Sequence, residues 1–250
     1  MKKIKFFSQN GQDRFLNNHI FKKNSNGIFI DIGANDGITF SNTYFFEKKG
    51  WSGICIEPIP EVFEKLKKNR KCNCICGVMS EKNIEFSEFL HVTGASEMLS
   101  GILDKYDNDH LERIEKDIKN NNEKKEIIKV QNFNFNKIIK FTHIDYLTID
   151  TEGSEFDILK TINFSNFEIK VISIENDYKN NNINDFLKNN NFKYLTTIGS
   201  DEIYLNKNFL NLIKNRLTTN LLIYYLKILK KIKLNIKKVI IKKCLTHFFQ

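Results

Sequence analysis

Two groups of residues in this 250-residue chain have the types and spacing to do chemistry. The first is the turn in Phe29-Ile30-Asp31-Ile32-Gly33-Ala34-Asn35-Asp36-Gly37, where an apolar run enters a segment whose missing side chains let backbone N–H groups approach a ligand. Its spacing is G-x-x-x-G, which fails the G-x-G-x-x-G fingerprint of a pyrophosphate turn. Glu57 closes the next apolar run, Ile54-Cys55-Ile56-Glu57, and 57 minus 37 puts it 20 residues after Gly37, the separation at which a carboxylate accepts both hydroxyls of a ribose. An adenosine-containing cofactor is implied. Asp31 and Asp36 would repel two phosphates and attract a sulfonium or an ammonium, so a sulfonium cofactor is favoured over a dinucleotide. A plain β-turn followed by a surface glutamate accounts for the same residues without any ligand.

The second group is acidic. Asp150 and Glu152 follow the apolar run ending at Ile149, and Glu175, Asn176 and Asp177 follow the run ending at Ile174. Like charges crowded together raise the pKa of one carboxyl toward the range of a general base, or jointly hold a divalent cation. Glu155 also suits the first turn of a helix, where the dipole favours acids regardless of function.

The elements that position these groups read as alternating strands and helices. Strands are expected at Ile28–Ile32, Gly53–Glu57, Asn73–Val78, Ile144–Asp150, Lys170–Glu175 and Lys193–Ile198, with helices at Phe40–Lys49, Glu61–Asn69, Ser154–Ile162 and Ile183–Asn190. Continuous apolar strands separated by helices imply a parallel sheet covered on both faces, a doubly wound α/β domain with ligands at the carboxyl ends of its strands. Ser80 to Lys140 breaks the pattern with an apolar-poor helix around Asp107 to Lys119 and an Asn/Lys loop. It is read as an insertion that shapes a substrate pocket.

Several segments together resemble the FkbM family of S-adenosylmethionine-dependent methyltransferases: Ser8-Gln9-Asn10-Gly11-Gln12-Asp13, the Asp31 to Gly37 turn, Ser41-Asn42-Thr43, Gly50-Trp51-Ser52-Gly53 leading to Glu57-Pro58, and Ile149 to Glu155. They run in family order over residues 6 to 206. The resemblance implies a class I methyltransferase (Rossmann-like) fold, a seven-stranded sheet whose last strand, Asp201 to Leu205, is antiparallel. It also implies O-methylation of a hydroxyl on a sugar, nucleotide-sugar or other metabolite, as in bacterial capsule or lipopolysaccharide assembly.

Under that reading Asp31, Gly33, Asn35 and Gly37 surround the methionine part of S-adenosylmethionine, Glu57 takes the ribose, and the turn near Ser80 meets the adenine. The resemblance adds Gln12, Ser41 and Asn42 to the cofactor cavity, although a helix cap would explain Ser41 and a turn Gln12. Asp150, Glu152 and Glu175 are the catalytic candidates, since a sugar hydroxyl must lose a proton as it attacks. Metal-dependent O-methyltransferases are similar in having a carboxylate after the fourth strand and a carboxylate–amide pair after the fifth, which makes Asp150, Glu175 and Asn176 a candidate set for Mg²⁺ or Mn²⁺.

Other residues are expected to be structural. His143 and Asp145 begin the fourth strand, at the end remote from the site, while His91 could face the pocket as a base. Cys72, Cys74 and Cys76 alternate along a strand, in a row and not around a point, so they read as packed thiols and not as a zinc site.

Charge separates the body from the tail. From Lys207 onward there are eleven basic residues and no acid, so residues 1–206 carry 28 basic against 30 acidic residues within a total of 39 and 30. A footprint confined to the tail argues against nucleic acid binding over the whole surface. Leu221, Leu222, Tyr225, Ile228, Leu229, Ile232, Ile236, Val239 and Ile240 share one side of a helical wheel, opposite Lys227, Lys230, Lys231, Lys237, Lys238 and Lys242. This predicts a basic amphipathic helix over part of 207–250 that lies on an anionic membrane, packs on the body or joins two subunits. Met1 to Phe7 lacks the apolar core of a signal peptide and no run approaches ~18 apolar residues, so a cytoplasmic enzyme is expected, in contact with the membrane only at its surface. A nicotinamide-dependent sugar oxidoreductase or epimerase would share the fold and Glu57 but needs the missing pyrophosphate loop. A non-catalytic membrane-associated binding subunit is the other alternative.

Overall fold

A computed structural model describes residues 5–22, 24–80, 84–106, 108–177 and 180–214. The chain divides between Asn206 and Lys207 into two units. In the second, the described residues form one helix, Lys207–Lys214, and the lysine-rich amphipathic stretch from Leu221 to Lys242 lies outside the described residues.

The first unit is built on a seven-stranded sheet of β1 (Ile28–Ile32), β2 (Ser52–Glu57), β3 (Asn73–Cys76), β8 (His143–Ile149), β9 (Glu168–Glu175), β10 (Phe192–Ile198) and β11 (Asp201–Asn206), in the spatial order β10-β11-β9-β8-β1-β2-β3. Every pairing is parallel except those of β11, which runs antiparallel between β9 and β10. This is the sheet that the family resemblance implies, including its inverted last strand.

The order reverses at the β1/β8 seam: the chain leaves β1 toward β2 and β3, then returns to build β8 and β9 on the other side. Right-handed crossovers therefore put the helices before the reversal on one face and those after it on the other, and the packing agrees. Ile30, Ile32, Leu147, Ile149, Ile172 and Ile174 form one core with Ile158 and Leu159 of α6 (Glu155–Thr161), Ile183 and Leu187 of α7 (Asn181–Asn189), and Phe135 of α5 (Phe135–Ile138). The alternate residue Tyr146 points the other way, where its ring meets Phe46 of α2 (Tyr44–Lys48) at 5.8 Å. Phe46 stacks on Trp51 at 4.7 Å, and Trp51 on Phe21, just after α1 (Gln12–His19), at 4.9 Å. On the same side α3 (Pro60–Asn69) buries Val62 and Leu66.

Two expectations need correction. The third strand stops at Cys76, because Gly77, at φ 150°, turns the chain into a second sheet, and a Cβ there would stand 2.4 Å from Gln131 O. The stretch from 80 to 140 is also more regular than the sequence suggested. Its strands β4 (Val78–Met79), β5 (Phe86–Val92), β6 (Gly101–Ile102) and β7 (Lys125–Phe133) form a four-stranded sheet in the order β4-β7-β5-β6, with α4 (Asn108–Asn121) inserted before β7. The helix was expected; it runs on through Asn120 and Asn121, and after a short turn β7 begins at Lys125.

Candidate functional site

At the carboxyl end of β1 the chain makes its turn through left-handed backbone at Gly33 (φ 85°), Asn35 (φ 49°) and Gly37 (φ 80°), conformations that Gly adopts freely and Asn tolerates. The N–H groups of Gly33 and Ala34 both donate to Ile56 O at 3.0 Å, and Asp150 N donates to Ile32 O at 3.0 Å. The ends of β1, β2 and β8 are thereby locked together. A Cβ on Gly33 would stand 1.7 Å from Asp150 O, so no other residue fits at this junction.

Glu57 ends β2 with only 5% of its surface exposed. Asn35 N donates to its Oε2 at 3.0 Å and Ile59 N to its Oε1 at 2.9 Å. Burial nevertheless pushes its carboxyl up to about 7, against those two backbone donors.

After β8, Glu152 (φ 54°) and Gly153 (φ 109°) both take left-handed backbone. Such strain in a non-glycine residue is held in place by surrounding structure, and here Glu155 does the holding: its Oε1 accepts from Thr151 N at 2.9 Å and from Gly153 N at 3.0 Å. The helix-terminus explanation of Glu155 therefore stands, with the addition that it shapes the loop carrying Glu152. Asp150, Glu152 and Glu175 present carboxylate oxygens that all lie within 4.8 Å of one another. Among the described residues no Lys or Arg forms an ion pair with Asp150 or Glu175. Burial, then the nearby charges of Glu175 and Asp201, pushes Asp150 well above the usual carboxylate range. Burial and the Glu175 charge push Glu152 up to about 8. Glu175 rises to about 7 through burial, with a hydrogen bond to Asp150 opposing and the charges of Glu155 and Asp177 adding.

A cleft of about 720 Å³, open solvent at its mouth included, joins the Gly33 turn, Glu57 and the loop after β8, while Glu175 does not line it. One end is lined by Gly33, Asn35, Asp150, Thr151 and Glu152, and Glu57 stands on its wall. The rest is mostly apolar: Ile59 and Val62 from the main domain, with Val78, Met79, Phe89 and Ile102 of the inserted sheet, and Glu97 and Ser100 among them. Its lining, apolar walls with a few convergent polar groups, is that of a small-molecule site. A nucleoside that offers a diol to Glu57 and a flat apolar face to these walls fits, and a positively charged centre fits beside Asp150 and Glu152. The three clustered carboxylates are hard oxygen donors of the kind that hold Mg²⁺ or Mn²⁺.

The other residues singled out in the sequence lie off the cleft wall. Asp31 is buried and turned away, accepting from Thr43 Oγ1 at 2.5 Å with Arg70 Nη1 at 3.9 Å; burial outweighs both and raises it to about 6. Asp36 accepts from Ile38 N and Thr39 N at 2.8 and 2.7 Å, closing its own turn. Ser41 Oγ accepts from Thr43 N at 3.3 Å and from Tyr44 N at 3.1 Å, a turn that leads into α2, whose N-cap is Thr43; the helix starts at Tyr44 and not at Phe40. Asn42 Nδ2 donates to Asp201 Oδ2 at 3.1 Å, and Gln12 Oε1 accepts from Asn10 N at 3.0 Å. Gly37 N donates back to Ala34 O, and Ser80 N to Phe133 O. Asn176 Oδ1 accepts from Asn180 N at 2.7 Å, which engages the amide expected to join a metal set. His91 is buried in β5, its Nδ1 3.3 Å from Glu126 Oε1, and does not line the cleft. His143 is exposed at the far end of β8 beside Glu168, and Asp145 accepts from Ile28 N at 2.9 Å. Cys72 lies just before β3 with its Sγ 3.5 Å from Cys55 Sγ, and Cys74 and Cys76 lie on β3; all three are half-buried and not core thiols.

Sequence reasoning missed Arg70, whose guanidinium reaches Gly37 O at 3.1 Å and Thr43 Oγ1 at 2.9 Å and pairs with Glu47. It also missed the inserted sheet's contribution to the cleft, for which no motif stands in the sequence.

No curated protein matches the chain. Among solved structures, a TehB-like SAM-dependent methyltransferase from Corynebacterium glutamicum is 10% identical, with a TM-score of 0.41 over 80% of this chain and 89% of that one. The METTL16 MTase domain is 12% identical, with a TM-score of 0.39 over 77% of this chain and 64% of that one. The model of the methyltransferase FkbM domain matches residues 31–194, which include the Gly33 turn, Glu57, Asp150, Glu152 and Glu175. The chain belongs to the FkbM methyltransferase family.

Proposed function

We propose that the chain transfers a methyl group from S-adenosylmethionine to a hydroxyl of a sugar or nucleotide-sugar, in the assembly of a bacterial surface polysaccharide such as a capsule or lipopolysaccharide. The observation that carries this reading is the meeting, at one cleft, of Glu57 beside the Gly33 turn with Asp150 and Glu152 after β8, whose carboxylates cluster with that of Glu175 at the end of β9. S-adenosylmethionine supplies, when bound, a methyl carbon already activated by a positive sulfur. The chain is left with two tasks, positioning and proton removal.

Glu57 does the first. Its two oxygens each take one backbone N–H, which fixes the carboxylate plane and leaves lone pairs for the 2′- and 3′-hydroxyls. Asp150 and Glu175 do the second. With their carboxylates within 4.8 Å of one another and no Lys or Arg paired to them among the described residues, they cannot both ionise readily, so near neutral pH the pair holds one proton and one charge. The ionised member takes the proton of the acceptor hydroxyl, and Glu152, raised to about 8 and so largely protonated near neutral pH, lines the same end of the cleft as a polar group. The same carboxylates would hold Mg²⁺ or Mn²⁺, which would supply neutralisation and acidify the bound hydroxyl. Residues 1–206 form the catalytic domain. The lysine-rich 207–250 segment serves either as a contact with anionic lipid at the inner membrane surface or as a contact with a second copy of the chain.

The test is calorimetric titration with S-adenosylhomocysteine and, separately, NAD⁺, before and after chelation, followed by a screen of nucleotide sugars as acceptors. Binding of the homocysteine compound alone is expected. Binding of NAD⁺ alone would move the reading to a sugar oxidoreductase, and binding of neither to a non-catalytic subunit. Methyl transfer that disappears on chelation and returns with Mg²⁺ would establish the metal.

A further inference from the structure

The apolar half of the cleft carries one carboxylate that the family's motifs do not account for. Glu97 lies in the short 3₁₀ segment Gly94–Leu99 between β5 and β6, and it lines the same cleft as Glu57. Its backbone is committed: Glu97 O accepts from Ser100 Oγ at 2.6 Å and from Ser100 N at 3.1 Å, which holds the segment in place. Its side chain has no hydrogen-bond partner among the described residues, whereas Ser100, the other polar residue on this wall, spends its hydroxyl on Glu97 O and Val92. Around Glu97 the wall is Met98, Phe89, Ile102, Val78 and Met79. The charge of Glu97 acts on Glu57 across the cleft.

Two carboxylates that face one apolar slot favour an occupant with hydrogen-bond donors at both ends of a flat, nonpolar body. Adenosine has that pattern, with a 2′,3′-diol at one end and a 6-amino group at the other. We propose that Glu97 accepts a hydrogen bond from the 6-amino group of the purine whose ribose Glu57 holds, so that the inserted lobe makes the cleft selective for adenine. This deepens the S-adenosylmethionine reading and rests on it.

The test measures the affinities of S-adenosylhomocysteine and of its 6-deamino analogue, in which hydrogen replaces the amine, for the full-length protein. The wild type should prefer the amino compound about tenfold to a hundredfold, the worth of one hydrogen bond to a charged acceptor. Glu97→Ala should bring the ratio near one by weakening the amino compound alone, and Glu97→Gln, which keeps an acceptor oxygen, should restore part of the preference. Equal binding of both ligands by the wild type, or a preference untouched in Glu97→Ala, overturns the assignment while leaving the cofactor reading intact. Failure of the wild type to bind either ligand overturns the cofactor reading itself.

Discussion

The backbone N–H of Asn35 donates to Glu57 Oε2 at 3.0 Å, so the turn after β1 and the tip of β2 form one unit. Asn35 can aim its N–H this way because it sits in left-handed backbone between two glycines in the same region. Removing the Glu57 carboxylate therefore costs both a ligand contact and a tie within the turn. Glu57→Ala is expected to weaken S-adenosylhomocysteine binding by about 1–3 kcal/mol, the range for a hydrogen bond to a charged group, as read by calorimetry. Unchanged affinity in a folded variant would remove Glu57 from the site.

Glu57 also sets a pH dependence with opposite signs for stability and for binding. Its carboxyl stands at about 7 in the folded protein against an ordinary 4.5, with burial as the main cause. A raised folded pKa means that the native state binds the extra proton, so this stabilising contribution is complete below pH 4.5 and lost as pH rises through 7. The loss is about 3 kcal/mol from this residue. Asp150, Glu152 and Glu175 are shifted the same way. Thermal denaturation of the ligand-free protein should therefore show a higher melting temperature near pH 5.5 than at pH 8. Ribose recognition needs the charged carboxylate, so affinity for S-adenosylhomocysteine should rise with pH and level off above 7. A flat affinity profile from pH 6 to 8 would contradict the role given to Glu57.

Gly33 and Gly153 separate two kinds of glycine. Both have positive φ, but a Cβ on Gly33 would stand 1.7 Å from Asp150 O, whereas the nearest atom to a Cβ on Gly153 is Lys105 O at 3.6 Å. Gly153→Ala carries only the left-handed backbone cost, about 1–2 kcal/mol, and should fold. Gly33→Ala must push β1 and β8 apart at their tips, and should yield protein that is insoluble or melts far below the wild type. Equal melting temperatures for the two variants would show that the junction yields more easily than its packing implies.

The main sheet was legible because its strands are buried on both faces and read as largely apolar runs broken only by single polar residues, as Ile28–Ile32 with Asp31 and His143–Ile149 with Asp145 and Thr148 do. The inserted sheet was not, for the same reason turned round. In β5 and β7 one face is open, Phe86 and Ile127 are 47% and 59% exposed, and lysines interrupt the pattern, so hydrophobicity does not mark the strands. The places of Glu57 and of the acids after β8 and β9 at strand ends were read from the sequence, and the structure sets them there. Asp31 was assigned to the cofactor because of its motif, yet alternation along β1 sets it opposite the neighbouring Ile30 and Ile32, toward Thr43 and Arg70. Glu97 had no local signal, since its place depends on a sheet that was itself unseen.

Asp150 and Glu175 belong to different strand ends, and their shared hydrogen bond makes them one titrating unit. Neither is needed to hold the ribose, so Asp150→Asn and Glu175→Gln should leave S-adenosylhomocysteine affinity within about threefold of wild type. Proton removal by a positioned base contributes about 10²- to 10⁴-fold, so kcat for a sugar acceptor should fall by that factor in at least one of the two variants. The double variant should be little worse than the more damaged single one, because residues that act as a unit are not additive. Steady-state kinetics at pH 8 with calorimetry on the same preparations separates the outcomes. Two single losses that multiply would mean that the carboxylates act independently, and a loss of cofactor affinity equal to the loss of kcat would make them binding groups and not a base.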